Sequence, residues 1–137
     1  MTIYYRLNSY LDRASDQGVL PHLLVIAKLT HQHPRSYFLP GTNLRFEGDD
    51  GAEVDIFGVR TGEVVAGEVK TKAADFTAGQ IARDTELSKR LGATTHLLAA
   101  IDDVPDNIAT VAKEACHSLA LNLIVLQKAD LRPGMTD

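Results

Sequence analysis

The chain has 137 residues, of which 45% are hydrophobic and 23% are charged, and its formal net charge is −4. This length suits one domain with its own core, so residues 1–137 are treated as a single unit. The acidic balance argues against a freestanding nucleic-acid binder, which is usually basic because phosphate neutralisation dominates its affinity. No run of about 18 apolar residues occurs, so no membrane contact is expected.

The N-terminal stretch and the single cysteine bear on the cellular compartment. MTIYYRLNSYLDR lacks the basic-then-apolar order of a secretory signal. Cys116 is the only cysteine, which excludes an intramolecular disulfide and a cysteine-rich zinc site. Both observations lead us to expect a cytoplasmic protein.

Residues 1–30 are predicted to form two helices. Apolar residues recur at helical spacing over residues 2–14, and Pro21 suits the first turn of a second helix that ends near Leu29. The second helix is expected to bury three apolar residues: Leu23, Leu24 and Ala27.

Residues 36–126 are predicted to form a catalytic core of sheet and helices. The first part, up to residue 72, holds three or four short β-type runs separated by Gly-containing turns, as in an antiparallel meander.

Two helix–strand pairs follow the meander. The helical patterns cover residues 77–91 and 105–119, and the short apolar runs at 95–101 and 122–126 are typical of buried strands. Strands joined across a helix are expected to be parallel. The order predicts an α/β fold with a mixed central sheet, followed by a tail at 127–137.

The hairpin EVDIFGVRTGEVVAGEVK, residues 53–70, carries acidic residues in both arms. With its Thr-Gly at the centre of a type I′ or II turn, antiparallel pairing sets Asp55 opposite Glu68 and Glu53 opposite Lys70. Directly opposite side chains point to the same face, with Cβ atoms about 4.5–5.5 Å apart. The four charged residues are therefore expected to cluster beside apolar neighbours.

Two carboxylates that face each other repel unless a positive charge lies between them. Lys70 is one such charge, and a divalent cation is a better one. Carboxylate oxygens of Asp55 and Glu68, with the carbonyl of Val69 and waters, suit octahedral Mg²⁺, for which Mn²⁺ can substitute. A bound Mg²⁺ polarises a phosphoryl oxygen and acidifies a water, and an adjacent lysine can orient that water. The hairpin thus predicts phosphodiester hydrolysis.

The pattern Asp55, twelve intervening residues, then Glu68-x-Lys70 resembles the PD-(D/E)xK nuclease superfamily. The element order from about residue 15 to residue 126 is also similar. The resemblance implies the restriction-endonuclease-like fold, a three-layer sandwich with a central mixed sheet between helices.

The same resemblance implies roles for individual residues. Asp55 and Glu68 would bind the metal, Lys70 would assist the attacking water, and Glu53 would be an auxiliary acid. The proline that precedes the acid in the family motif is absent here. Many members add a glutamate from the first helix, where this chain has two aspartates, Asp12 and Asp16.

Three further residues are possible functional or nucleic-acid contacts. Gln80 opens the next helix, where some superfamily members place a catalytic glutamine, and it fits a capping box with Thr77 equally well. Lys72 is placed to touch a phosphate, although a solvated strand end explains it slightly better. Arg83 has acidic neighbours, which favours a solvated helical face over contact with a nucleic-acid backbone.

The sequence therefore predicts a Mg²⁺-dependent endonuclease that hydrolyses DNA, with RNA open as a substrate. Specificity is expected from a homodimer partner or from another protein. The alternative is a catalytically silent nucleic-acid-binding or protein-interaction module with the same fold. A third interpretation is an enzyme that uses the same metal site on a different substrate.

Overall fold

The computed structural model describes residues 19–48 and 51–132. The predicted helix at 2–14 and the two aspartates Asp12 and Asp16 lie outside these ranges. Within them, no helix is both long enough and apolar enough to cross a membrane.

One five-stranded sheet forms the centre of the fold, with its strands side by side in the order of the sequence. The strands are β1 (Ser36–Leu44), β2 (Ala52–Arg60), β3 (Glu63–Lys70), β4 (Thr95–Ala100) and β5 (Asn122–Leu126). The pairs β1–β2 and β2–β3 are antiparallel, and the pairs β3–β4 and β4–β5 are parallel. The predicted meander and the parallel pair are confirmed, and β3 is the strand at which the pairing changes.

Helices cover both faces of the sheet. They are α1 (Val19–Gln32), α2 (Ala78–Arg90), α3 (Asp106–Ser118) and the short α4 (Lys128–Leu131), with a 3₁₀ turn at Ala73–Asp75. α1 and α4 pack on one face, and α2 and α3 pack on the other. The predicted α/β arrangement of helices flanking a mixed sheet is confirmed.

Side chains of β3 and β4 alternate between the two faces, as a period of two residues requires. Val65, Val69 and Leu97 join the core beneath α1, while Leu98 and Ala100 join the core beneath α2 and α3. Every residue of β4 is buried, because helices cover this parallel strand on both sides.

The buried side of α1 differs from the prediction. Its buried residues are Pro21, Val25 and Leu29, which are spaced four apart and form one stripe of a helix. Leu23 and Leu24 are 48% and 41% exposed, and Ala27 is exposed too. The prediction chose apolar residues by type and placed them on the wrong side of the helix.

The C-terminal part differs in two respects. β5 is an edge strand, and Leu126 is its one fully buried residue, so the prediction of a buried strand was too strong. The predicted tail at 127–137 begins with α4, where Gln127 and Asp130 cap one another across the helix start. Leu131 of this helix packs into the core beneath α1.

Two glycines fix the geometry of the hairpin β2–β3. In the turn, Thr61 has φ 42° and Gly62 has φ 83°, which is the type I′ form with two positive φ angles. Near the other end, a Cβ on Gly67 would overlap the carbonyl oxygen of Leu97. A close approach of β3 to β4 therefore requires glycine directly before Glu68.

Candidate active site

The strands β2 and β3 pair in the predicted register, but their ladder stops one step before the acids. The pairs run from Arg60↔Glu63 to Ile56↔Gly67. Beyond that point the Val69 N–H donates a hydrogen bond to Asp55 Oδ2 over 2.9 Å. The Asp55 side chain thus bridges the two strands where their backbones no longer pair.

The predicted pairing of Glu53 with Lys70 was wrong. Glu53 is exposed and lies opposite Asn43 in β1, and Lys70 lies opposite Ala100 in β4. The ion pair of Lys70 is with Glu68, whose Oε2 is 3.8 Å from Lys70 Nζ. Because β2 and β3 have ceased to pair by residue 55, the cluster contracts to Asp55, Glu68 and Lys70.

The carboxyl groups of Asp55 and Glu68 lie close enough to shift each other's pKa. Their side chains are 17% and 12% exposed. Burial raises the pKa of Glu68 most, Asp55 raises it further, and the result is about 9 despite the opposing effect of Lys70. Glu68 is therefore the protonated member of the pair at neutral pH.

Asp55 remains the charged member of the pair. Burial alone would raise its pKa, but the nearby His22 imidazole, the neighbouring Glu68 carboxyl group and the hydrogen bond from the Val69 N–H lower it to about 2. The two carboxyl groups titrate as one coupled unit, with the first proton lost far below neutral pH and the second far above it. Such a pair holds either one proton or a cation at neutral pH.

The carbonyl of Val69 lies on the same edge of β3 as the Asp55 side chain. In an extended strand the N–H and C=O of one residue point towards the same neighbour, and the Val69 N–H points to Asp55. The Val69 carbonyl therefore points towards β2, on the side where Asp55 meets the Val69 N–H.

Asp55 and Glu68 supply two carboxylates, a donor type that Mg²⁺ accepts. Among residues 19–48 and 51–132, no group of three or more His, Cys, Asp or Glu side chains is placed to hold a metal ion. Zinc and calcium sites need such sets. Mg²⁺ keeps several waters and is commonly held by one or two carboxylates, which Asp55 and Glu68 supply.

Two residues at the site were missed by sequence reasoning. His22, from the first turn of α1, places Nε2 3.5 Å from Asp55 Oδ1. Its position 33 residues earlier in the chain gave no signal, because only the packing of α1 on the sheet brings it there.

Asp84, from α2, is the second missed residue. Burial raises the pKa of Asp84 to about 6, while Lys70 and Arg83 oppose the rise. Its atom Oδ2 is buried and has no hydrogen-bond partner. A signal existed, since Asp84 follows Gln80 by four residues and so shares its helix stripe.

The other predicted site residues lie around this cluster without joining it. Thr77 Oγ1 accepts a hydrogen bond from the Gln80 N–H over 3.2 Å, so the N-cap half of the predicted capping box is present. Lys72 precedes the 3₁₀ turn and is exposed. Arg83 is exposed as well, and its guanidinium folds back towards Gly79.

Gly41 of β1 lies opposite Asp55 by the register of β1 with β2. Gly41 has φ +53°, and among residues 19–48 and 51–132 a Cβ placed on it would meet nothing within 4 Å. Because glycine has no side chain, β1 places no side chain beside Asp55 at this position.

A cavity of about 730 Å³ lies elsewhere, between α3 and the start of β5, with Lys113, His117 and Asn122 in its lining. Asn122 aligns with Thr95 at the start of β4, whereas Glu68 and Lys70 align with the end of that strand. The cavity is therefore at the opposite end of the parallel strands, and it contains none of the predicted site residues.

Comparison with known proteins gives one informative result. No protein-family model and no curated protein matches the chain. A solved structure described as protein VC1899 from Vibrio cholerae is similar, with a TM-score of 0.55 and 21% identity. The match covers 82% of this chain and 30% of that one, so the chain spans about a third of the neighbour's length. At this identity the likeness concerns the fold alone.

Proposed function

We propose that the chain is a Mg²⁺-dependent nuclease domain of the PD-(D/E)xK type, with the restriction-endonuclease-like fold and DNA as its substrate. One observation carries the proposal. Asp55 and Glu68 share a desolvated space at the end of β3, and Lys70 Nζ is 3.8 Å from Glu68 Oε2. A sheet gains nothing from two acids facing each other, so a cation-binding role explains the arrangement.

Each residue of the site has a proposed role that follows from its position. The carboxylates of Asp55 and Glu68 and the carbonyl of Val69 would hold Mg²⁺, which when bound supplies Lewis acidity towards a phosphoryl oxygen and a more acidic water. The Val69 N–H fixes the Asp55 carboxylate through a 2.9 Å hydrogen bond. Lys70 supplies a positive charge for the attacking water or for the charge that develops on the phosphate.

Several residues are proposed in supporting roles. Asp84 lies one helical turn before Ser88, which contacts β3, and Gln80 lies one turn before Asp84. Lys72 is exposed next to the site and would contact a neighbouring phosphate, and Arg83 would do the same further out. Glu53 keeps its proposed role as an auxiliary acid only if substrate binding brings it closer. Specificity would come from a homodimer partner or from another protein, in keeping with the net charge of −4.

The test is cleavage of plasmid DNA, single-stranded DNA and RNA with Mg²⁺ or Mn²⁺, using the wild type, Lys70→Ala and the control Lys113→Ala. Lys113 is exposed on α3, away from the acids. We expect the wild type and the control to cut alike and Lys70→Ala to lose about 100-fold or more in rate. Equal inertness of all three proteins with every metal would sink the nuclease proposal.

A second function is a catalytically silent nucleic-acid-binding or protein-interaction module. It is favoured by the raised pKa of Glu68, because a pair of carboxyl groups that holds one proton needs no cation to be stable. Mn²⁺ titration followed by electron paramagnetic resonance separates the two functions. A protein that neither binds Mn²⁺ nor cuts is the silent module, and one that binds Mn²⁺ but cuts no nucleic acid acts on another substrate.

A further inference from the structure

Asp84 lies next to Glu68 because α2 runs back along β3. The Ser88 hydroxyl donates a hydrogen bond to the Ala66 carbonyl over 3.3 Å, which fixes one point of contact between the two elements. Asp84 lies one helical turn before Ser88, about 5.4 Å away along the helix. Glu68 lies two residues after Ala66, about 6.6 Å away along the strand. The helix returns antiparallel to β3 because β4 is parallel to it.

One oxygen of the Asp84 carboxylate lacks a hydrogen-bond partner. Its Oδ2 is buried and accepts no hydrogen bond, and an unpaired buried polar atom is costly enough to call for an explanation. The charged groups that act on it are Lys70, Arg83 and Asp55. Arg83 is exposed and folds back towards the start of its own helix, so Lys70 is the cation on the side of the sheet.

Lys70 interacts with two carboxyl groups, those of Glu68 and Asp84. In the metal-free structure its amine is paired with Glu68 over 3.8 Å, and it also acts on Asp84. If Asp55 and Glu68 hold a cation, the negative charge of Glu68 is shared between that cation and Lys70. The cation and the Lys70 ammonium then repel each other, and Asp84 is the nearby carboxylate that has no partner.

We propose that Asp84 is a positioning residue that takes over the Lys70 amine from Glu68 when Asp55 and Glu68 hold the metal. The proposal rests on the proposed function, since it assigns Asp84 a part in the same site. Asp84 would hold the Lys70 amine beside the carboxylates and away from solvent. A direct metal role for Asp84 is the rival, and the absence of a three-ligand group among the described residues argues against it.

The test compares Asp84→Asn, Asp84→Glu and the double variant Asp84→Asn/Lys70→Ala with the control Asp103→Asn, an exposed aspartate outside the site. We expect Asp84→Asn to slow single-turnover cleavage by about 10- to 100-fold and to leave the Mn²⁺ Kd within about 3-fold of wild type. Asp84→Glu should restore part of the rate because it keeps the charge. In the Lys70→Ala background Asp84→Asn should cost nothing more.

Three results would overturn the proposal. A Mn²⁺ Kd weakened by about 10-fold or more in Asp84→Asn would make Asp84 a ligand. A fully active Asp84→Asn variant would make it a bystander. An equal loss in the presence and absence of Lys70 would show that Asp84 does not act through that amine.

A readout independent of cleavage keeps the test decisive if the wild type cuts no substrate, which would be a failure of the proposed function alone. The side-chain nitrogen signal of Lys70 is followed by NMR during Mg²⁺ titration. We expect Mg²⁺ to shift this signal in the wild type and in Asp103→Asn, and to shift it differently in Asp84→Asn. No shift in the wild type, or the same shift in Asp84→Asn, would contradict the transfer of Lys70 to Asp84.

Discussion

The two ends of the hairpin β2–β3 differ in the charges that they bring together. At the turn, Arg60 Nε and Glu63 Oε2 form an ion pair of 3.0 Å between directly opposite residues. At the open end, the same two strands bring Asp55 and Glu68 together. Opposite charges across a ladder stabilise a sheet and like charges destabilise it, so the turn end serves the fold and the open end does not.

The difference in solvent exposure sharpens the contrast. Glu63 at the turn is 39% exposed, whereas Glu68 at the open end is 12% exposed. Water and salt screen charges at the surface and screen buried charges far less. The two acids therefore meet where charges influence each other most strongly, which is why the pKa of Glu68 is raised to about 9.

The largest expected effect is that of Glu68→Gln at the open end. Glutamine resembles the protonated Glu68 of the metal-free protein, so the stability without metal at neutral pH should change by less than about 0.5 kcal/mol. The carboxylate needed for the cation is lost. We expect cleavage to fall by at least about 100-fold and the rise in Tm with Mn²⁺ to disappear.

The wild type provides the reference for that measurement. A cation present at about 100 times its Kd should stabilise the folded chain by about 2.7 kcal/mol, or roughly 10 °C in Tm for a chain of this size. Thermal unfolding with and without Mn²⁺ measures both proteins. If Glu68→Gln kept the full Mn²⁺ response, Glu68 would not be a ligand.

The second effect is structural and compares glycines from the two ends. Gly67→Ala should cost about 3 kcal/mol or more, because its Cβ would overlap the backbone carbonyl of Leu97 and neither strand can yield alone. Gly62→Ala has open space around it and should cost only about 1 kcal/mol for its positive φ. Denaturant unfolding ranks the two, and equal losses would mean that β3 and β4 can separate freely.

Sequence patterns predicted the fold well where the pattern itself determines the pairing. The Thr-Gly turn set the register of β2 and β3, and the helix between β4 and β5 determined their parallel pairing. The face of α1 could not be read from composition, because apolar residues occur on both its sides and only packing selects Val25 and Leu29. The last helix was missed because four residues are too short to show a period.

The site was predicted in part for a related reason. Alternation along two strands places Asp55 and Glu68 together, and the spacing to Lys70 follows from the same strand. The same alternation gave a wrong position for Glu53, because the prediction assumed that β2 and β3 pair as far as residue 53. Their pairing ends at Ile56. His22 was out of reach, because its contact with Asp55 depends on how a separate helix packs on the sheet.

The third effect is a decline in the stability of the metal-free protein as pH rises. The pKa of Glu68 is about 9 in the folded chain against an ordinary 4.5, so the folded state binds this proton more tightly than the unfolded state. Its contribution is complete below about pH 4.5 and is lost as pH rises through about 9. The low pKa of Asp55 acts in the opposite sense only below about pH 4.

Measured between about pH 6 and pH 9, the loss should be of order 1–2 kcal/mol, since partial exposure screens the repulsion. Asp84, with a pKa of about 6, adds a smaller decline at the acidic end of this range. Thermal unfolding of the wild type and of Glu68→Gln across this range isolates the contribution of Glu68. A pH dependence that is unchanged in Glu68→Gln would place the titrating group elsewhere.

The smallest effect belongs to the ion pair at the turn. Glu63→Gln removes one charge from a pair that is partly exposed, and such pairs contribute about 0.2–1 kcal/mol. Cleavage and the Mn²⁺ response should stay at wild-type levels, because Glu63 lies at the far end of both strands from Asp55. The stability loss should shrink further at high salt. Glu63→Gln could instead weaken Mn²⁺ binding as Glu68→Gln does. That result would contradict the proposal that the cation binds at the open end of the hairpin only.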